Sequence, residues 1–226
     1  MRLRGEGLVL VCVCLATGGA RAGTLVGKLE LPAPPPRPEA ATHGFLDRAE
    51  NPLAPLRPYA VTPQLVVELD GDEKPAAPPQ VTWRLLGESF ERPVIAVPAG
   101  SEVVIRDDSK TAHTLVAKED PKLLPPGPIN PSGTKPFRVT KETVYTIGDP
   151  DAPHLHGTII VVNTLYIGYP DESGRFEIPD VPPGSYTLRI WYGGKLLDRP
   201  DDTVNVSAKG KTDVSPKVPA GYPVKK

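Results

Sequence analysis

Short apolar runs recur along the chain, and prolines, glycines and polar residues separate them. Several runs alternate apolar and polar positions or are rich in β-branched residues, which is typical of β-strands. No segment sustains the spacing of an amphipathic helix, and proline interrupts most windows long enough to hold one. Most of the 30 prolines fall between the runs rather than inside them. The pattern therefore predicts an all-β protein of short strands joined by rigid turns.

The strands of residues 64–163 are expected to form one β-sandwich. Phe90–Val97 contains Pro93, which favours an edge strand because proline cannot donate a ladder hydrogen bond. Residues 118–136 hold six prolines and two glycines, so a loop is predicted there. The predicted strands are Gln64–Leu69, Val81–Leu86, Phe90–Val97, Ser101–Arg106, Thr114–Ala117, Phe137–Val139 and Val144–Ile147.

A second unit is predicted over residues 164–218, followed by a tail at 219–226. Its strands are expected at Leu165–Tyr169, Arg175–Ile178, Ser185–Tyr192, Lys195–Leu197, Thr203–Val206 and Thr212–Val214. Because about 55 residues make a marginal domain, this unit should pack against the first. The strand predicted at Thr24–Leu31 could join either unit. It begins the segment 23–63, the rest of which is predicted to be a proline-rich arm.

The first 22 residues have the features of a secretory signal peptide. Arg2 and Arg4 precede an apolar core, and Ala20-Arg21-Ala22 forms a small-x-small cleavage site. Both cysteines, Cys12 and Cys14, lie in that core, so the mature chain would have neither a disulfide nor a thiolate ligand. A periplasmic or secreted protein is expected. No later stretch is apolar and long enough to predict a membrane span after cleavage.

The charge of the chain excludes some partners. A formal net charge of −1 gives no indication of nucleic-acid binding. No phosphate-binding loop, dinucleotide fingerprint or serine-nucleophile motif occurs. The neighbours Asp107 and Asp108 would point apart on a strand, which argues against a catalytic carboxylate pair. The expected partners are a metal ion or an unknown exported protein or cell-surface partner.

Three of the four histidines could converge on a metal ion. His154 and His156 are two residues apart in an extended stretch, so their imidazoles should lie on one face. His113 follows another predicted strand. Three imidazoles suit copper or zinc and would leave one position open. Surface histidines without a ligand explain the same spacing, and His43, in the proline-rich arm, is most simply a loop residue.

Two longer motifs resemble known families. The first, Phe90-x-x-Pro93-Val94-x-x-Val97-x-x-Gly100-x-x-Val103-x-Ile105 followed by His113 and Tyr145–Val161, resembles the cupredoxin-like (plastocyanin-type) domain of exported methylamine-utilisation-type proteins. The second, Asp171-x-x-Gly174-x-Phe176-x-Ile178-x-x-Val181-Pro182-Pro183-Gly184-x-Tyr186-x-Leu188-x-Ile190-Trp191, resembles the carboxypeptidase regulatory-like domain that follows it there. The resemblance implies a cupredoxin-like Greek-key β-sandwich plus a small transthyretin/carboxypeptidase-regulatory-like β-sandwich.

The same resemblance implies a set of ligand positions. His113 matches the first copper ligand of the cupredoxin family, and His154 or His156 matches the histidine of the later loop. Gly148 stands near the position of the family's cysteine, and Leu155 or His156 near that of its methionine. Blue-copper electron transfer needs the thiolate and is not expected here.

Three hypotheses follow from the sequence. The first is an exported protein that binds copper, or zinc, through His113, His154 and His156 and is not an enzyme. The second is a cupredoxin scaffold without metal that serves as an interaction or carbohydrate-binding protein. In the second case Trp191 and Tyr192 could stack on a sugar, although core packing is the usual role of strand aromatics. The third is a three-histidine metalloenzyme.

Overall fold

The computed structural model describes residues 22–32, 61–71, 78–208 and 210–224. Residues 1–21 and 33–60, which hold all but the last residue of the predicted signal peptide, both cysteines, His43 and most of the proline-rich arm, lie outside the described residues. In the described part the regular structure is β-strand apart from one 3-10 turn at Thr62–Gln64. This confirms the all-β fold class.

The described residues form sixteen strands in chain order. They are β1 Gly23–Lys28, β2 Leu65–Asp70, β3 Gln80–Leu86, β4 Ser89–Phe90, β5 Val94–Pro98, β6 Glu102–Asp107, β7 Val116–Ala117, β8 Thr134–Arg138, β9 Val144–Asp149, β10 Ala152–Val162, β11 Ile167–Gly168, β12 Arg175–Val181, β13 Gly184–Tyr192, β14 Lys195–Leu196, β15 Asp202–Val206 and β16 Lys211–Val214.

The first unit is a sandwich of two mixed sheets. Their strand orders are β4-β3-β6-β8 and β5-β10-β9-β7, with parallel pairs β3–β6 and β5–β10. The chain changes sheet at most connections, as in Greek-key folds. Trp83 stacks on Phe90 at 3.8 Å in the core. Gly157 faces this pair, and a Cβ there would come within 2.5 Å of the Trp83 ring, so the close packing requires glycine.

Pro93 divides the single strand that was predicted over Phe90–Val97. β4 pairs with β3 in one sheet, whereas β5 pairs with β10 in the other. The prediction of one continuous strand was wrong, because the segment crosses from one sheet to the other at the proline. The predicted edge position is confirmed, since β5 is the outermost strand of its sheet.

The second unit is a smaller β-sandwich with sheet orders β11-β2-β13-β14 and β12-β1-β16, and β15 pairs with β13. β1 lies between β12 and β16, so the strand predicted at Thr24–Leu31 belongs to this unit. The predicted boundary at residue 64 places β2 in the first unit. In the structure, β2 pairs with β13. That assignment was wrong because Leu65, Val67 and Leu69 pack into the core of the second unit.

A third apolar cluster joins the two units. Its buried members are Val66 of β2, Val94 and Ala96 of β5, and Ile160 and Val162 of β10. Their sequence neighbours point the other way into the two sandwich cores, as alternation along a strand requires. The four sheets therefore stack face to face, and the sheets of β5–β10 and β2–β13 meet at a surface that we call the seam.

Polar contacts also cross between the units. The Tyr169 hydroxyl donates to the carbonyl of Ala96 at 2.9 Å and accepts from its amide at 3.0 Å. Arg92 lies over the Tyr169 ring at 4.5 Å and donates to the carbonyl of Leu65. These contacts and the apolar seam hold the two sandwiches as one body. No helix within the described residues is long and apolar enough to cross a membrane.

Candidate functional site

His113 lies inside the first sandwich and is only 5% exposed. Its Nδ1 lies 3.4 Å from Asp149 Oδ2, while Nε2 lies 3.1 Å from Thr111 Oγ1 and 3.2 Å from Ser109 Oγ. Both ring nitrogens thus have partners in their own chain. A metal ion at either nitrogen would have to displace one of these contacts.

The contacts run from a serine through a histidine to an aspartate, as in a hydrolytic triad, and the residues are Ser109, His113 and Asp149. The arrangement does not suit nucleophilic attack. The Ser109 hydroxyl donates to the carbonyl of Thr111 at 2.8 Å and is buried. Asp149 accepts from the amides of Thr114 and Asp151, so it also closes the local turns. The group is a hydrogen-bond network that fixes this end of the sandwich.

His154 and His156 are exposed on β10, and the residue between them, Leu155, is buried. This alternation of exposure agrees with the expected shared face, and the pairing of β10 with β9 is irregular between Ala152 and His156. His154 Nε2 lies 2.6 Å from Glu88 Oε2, and both of these side chains are largely solvent-exposed. The pair thus lies on the surface, whereas His113 is enclosed in the network described above.

Among the described residues, no group of three or more His, Cys, Asp or Glu side chains is arranged to hold a metal ion. The three predicted ligands therefore do not form such a group, and the bonded state of His113 does not fit a ligand role. Copper or zinc binding through His113, His154 and His156 remains a prediction that the geometry does not support.

A different set of polar side chains lies together at the seam. On β2 and β13, alternate residues face the first unit, and Arg189 stands directly opposite Glu68. Two diagonal contacts link residues of the two strands. The Trp191 indole N–H donates to Glu68 Oε2 at 2.6 Å, and the Arg189 guanidinium lies 2.7 Å from Asp70 Oδ2. Diagonal neighbours on a sheet are within reach of long side chains. One face of the second sandwich thus presents an ordered aromatic and charged cluster.

The first unit supplies the facing wall, so that a cleft of about 390 Å³ forms between the two sandwiches. Its volume falls within the usual range for small-ligand sites. Val144 and Val162 extend the apolar seam into its floor, and Glu142 and Asn163 lie among the polar groups. The lining residues are Glu68, Asp70, Glu142, Thr143, Val144, Val161, Val162, Asn163, Arg189 and Trp191. We call this the seam cleft.

Glu68 is only 3% exposed although it lies beside this cleft. Burial raises the pKa of its carboxyl, and the charges of Asp70 and Glu142 act in the same direction. The hydrogen bond from Trp191 and the charge of Arg189 oppose that shift. The Glu68 carboxyl therefore binds its proton more tightly than the carboxyl of a solvated glutamate does.

The sequence interpretation did not identify the seam cleft. The sequence predicts core packing as the usual role of a strand aromatic such as Trp191, which holds for an isolated sheet. The available signal was Glu68, a carboxylate inside the apolar run Leu65–Leu69. A charged residue in a strand buried on both faces needs a partner or a function.

A family model described as Polysaccharide lyase family 4, domain II matches residues 143–214. The match runs from β9 to β16 and so crosses the expected boundary near Asn163. It includes most residues that line the seam cleft, among them Arg189 and Trp191. The match covers less than half of the chain. A search of curated proteins found no match.

Solved structures similar to the chain include cupredoxins. Amicyanin from Paracoccus versutus is 13% identical, with a TM-score of 0.33, over 42% of this chain and 97% of amicyanin. A purple cupredoxin from Nitrosopumilus maritimus is 15% identical, with a TM-score of 0.34, over 36% of this chain and 99% of its own. Values this low carry no argument about metal binding. The chain is thus an all-β protein that is similar to cupredoxins over about two fifths of its length and to a polysaccharide lyase domain over residues 143–214.

Proposed function

We propose that the protein is an exported carbohydrate-binding protein that works without a resident metal. The seam cleft carries this proposal, because it brings an indole, carboxyl groups, an amide and a guanidinium to one concave site between two joined sandwiches. Aromatic rings and apolar floors suit the C–H faces of sugars, and fixed polar groups around them suit hydroxyls.

Two further observations support the proposal. The family whose model matches residues 143–214 is named for a polysaccharide-cleaving enzyme, and the matched segment supplies most of one wall of the cleft and part of the other. The histidines that would serve the alternative metal function lie in separate environments, with His113 held by Ser109, Thr111 and Asp149. Export rests on the signal-like residues 1–22.

Glycan binding by the mature chain tests the proposal. We expect an array of plant and microbial glycans to show binding that Trp191→Ala abolishes or weakens roughly tenfold. Tyr192→Ala is the matched control, because Tyr192 lies on the same strand and stacks on Tyr222 away from the cleft. Asn163→Ala tests the cleft without removing an aromatic from the seam. Thermal unfolding of each variant shows whether it is folded.

Metal content is measured on the same preparations. After copper or zinc loading and dialysis we expect far less than one equivalent to remain, with no change in His113→Ala. Retention of one equivalent that is lost in His113→Ala, without glycan binding, would replace this proposal with the three-histidine site. Glycan binding unaffected by both Trp191→Ala and Asn163→Ala would place the sugar elsewhere and refute the role of the cleft.

A further inference from the structure

We infer that the seam cleft selects neutral, hydroxyl-rich saccharides and rejects acidic ones, and that Glu142 at its rim sets this selectivity. The inference rests on the proposed function and names the ligand class for the same cleft. The name of the matched family does not provide this distinction, because it does not say whether the polysaccharide is neutral or acidic.

The charges in the cleft are unbalanced. Among the described residues that line it, Glu68, Asp70 and Glu142 carry carboxyl groups, and Arg189 is the only cationic side chain. The Arg189 guanidinium is paired with Asp70 at 2.7 Å, so its charge is largely compensated. Three carboxyl groups therefore share one guanidinium, which also stands opposite Glu68 on the adjacent strand. A uronate entering it would meet carboxyl groups rather than a free guanidinium.

Repulsion should be strong enough to decide between ligands. The walls are two packed sheets, and a low-dielectric surround makes charge interactions stronger than in bulk water. Juxtaposed like charges at an interface disfavour the wrong partner. Neutral sugar hydroxyls, by contrast, can donate hydrogen bonds to carboxylate oxygens and accept from the guanidinium. The same groups that bind a neutral sugar thus reject an acidic one.

The cleft is also not built for a strongly cationic ligand. Burial raises the pKa of Glu68, and the indole N–H of Trp191 already donates to this carboxyl. Glu142 is exposed and belongs to the first unit, so it can be exchanged with little effect on packing. This makes Glu142 the residue through which the charge of the cleft is best altered.

Calorimetric titration of the full mature chain with defined hexasaccharides tests the inference. The probes are neutral hexamers of glucose, mannose and xylose, hexagalacturonate, and a hexamer of glucosamine. In the wild-type protein at pH 7 we expect at least one neutral hexamer to bind and hexagalacturonate to bind roughly tenfold more weakly or not at all. Glu142→Lys should raise the affinity for hexagalacturonate roughly tenfold relative to the affinity for the neutral hexamer.

Glu172→Lys is the matched control, because it makes the same charge change at an exposed turn outside the cleft. It should alter neither affinity. Equal or tighter binding of hexagalacturonate by the wild-type protein, tighter binding of the glucosamine hexamer, or equal effects of the two lysine variants would overturn the inference and leave the proposed function standing. If no hexamer binds and the glycan array is also blank, the proposed function itself fails.

Discussion

Glu68 illustrates how a single buried residue can link stability to the cleft. It lies in a strand whose other residues are apolar and almost fully buried. Its carboxyl accepts from the Trp191 indole, and burial raises its pKa above the ordinary value of 4.5. Because the folded state holds the proton more tightly than the unfolded state, ionisation favours unfolding. Glu68 therefore contributes most stability at low pH and loses it as the pH rises.

Glu68→Gln should accordingly change the pH profile of stability. Glutamine keeps the acceptor for the indole N–H but cannot ionise, so the variant should gain stability relative to the wild-type protein as the pH rises above about 4.5. Urea unfolding at a series of pH values measures this difference. Glu172→Gln, a change at an exposed carboxylate, is the control. A constant difference between Glu68→Gln and the wild-type protein across the series would show that Glu68 has no raised pKa.

The histidines show what residue-level reasoning can reach. Alternation along β10 was enough to place His154 and His156 on one face, because that relation depends only on extended backbone. The surroundings of His113 depend on the tertiary fold, since Asp149 reaches it from β9 and two local hydroxyls compete for its other nitrogen. A ligand set read from residue type alone misses such competition.

At the scale of elements, β5 shows how an edge strand is protected. An open edge exposes unpaired amides and carbonyls that invite association with other chains. The Tyr169 hydroxyl occupies both backbone groups of Ala96, and Ala96 itself is buried. The side chain thus acts in place of a neighbouring strand at that position. Pro93, just before the strand, removes another free amide.

Tyr169→Phe should destabilise the protein by about 1–3 kcal/mol, because it leaves a buried amide and a buried carbonyl without their partner. Denaturant unfolding measures the loss. Tyr192→Phe is the matched control and should change stability by less than about 0.5 kcal/mol, since its ring can still stack on Tyr222. Equal effects of the two variants would contradict the role assigned to the Tyr169 hydroxyl.

At the scale of the whole molecule, the seam makes the two sandwiches interdependent. β5 and β10 bury side chains on both faces, towards the core of the first sandwich and towards the second unit. β2 does the same from the other side, with Val66 in the seam and Val67 in its own core. The small second unit thereby gains buried area that it could not provide alone.

This coupling predicts that the wild-type protein unfolds in a single thermal transition. Val66→Ala combined with Val162→Ala removes seam contacts from both units and should separate the unfolding into two transitions in differential scanning calorimetry. Val67→Ala combined with Val204→Ala removes the same atoms from the core of the second sandwich and should lower one transition without splitting it. A single transition in the seam variant would mean that the two sandwiches are not coupled there.

Much of the fold could be predicted from local patterns. The strands at residues 81–86, 101–106 and 185–192 were predicted within a residue or two, because alternation and proline placement act over a few positions. The break at Pro93 was missed because a sheet change depends on partners elsewhere in the chain. The assignment of β2 failed for the same reason, since its partner β13 is distant in sequence.

The sequence by itself determined the all-β class, the turn positions and the shared face of His154 and His156, because these follow from the two-residue period of a strand and the restricted backbone of proline. Only the tertiary structure decided which sheets meet and which polar groups share a cleft. The reason is that Glu68, Glu142 and Trp191 come together through packing of sheets, and packing depends on pairings between distant segments.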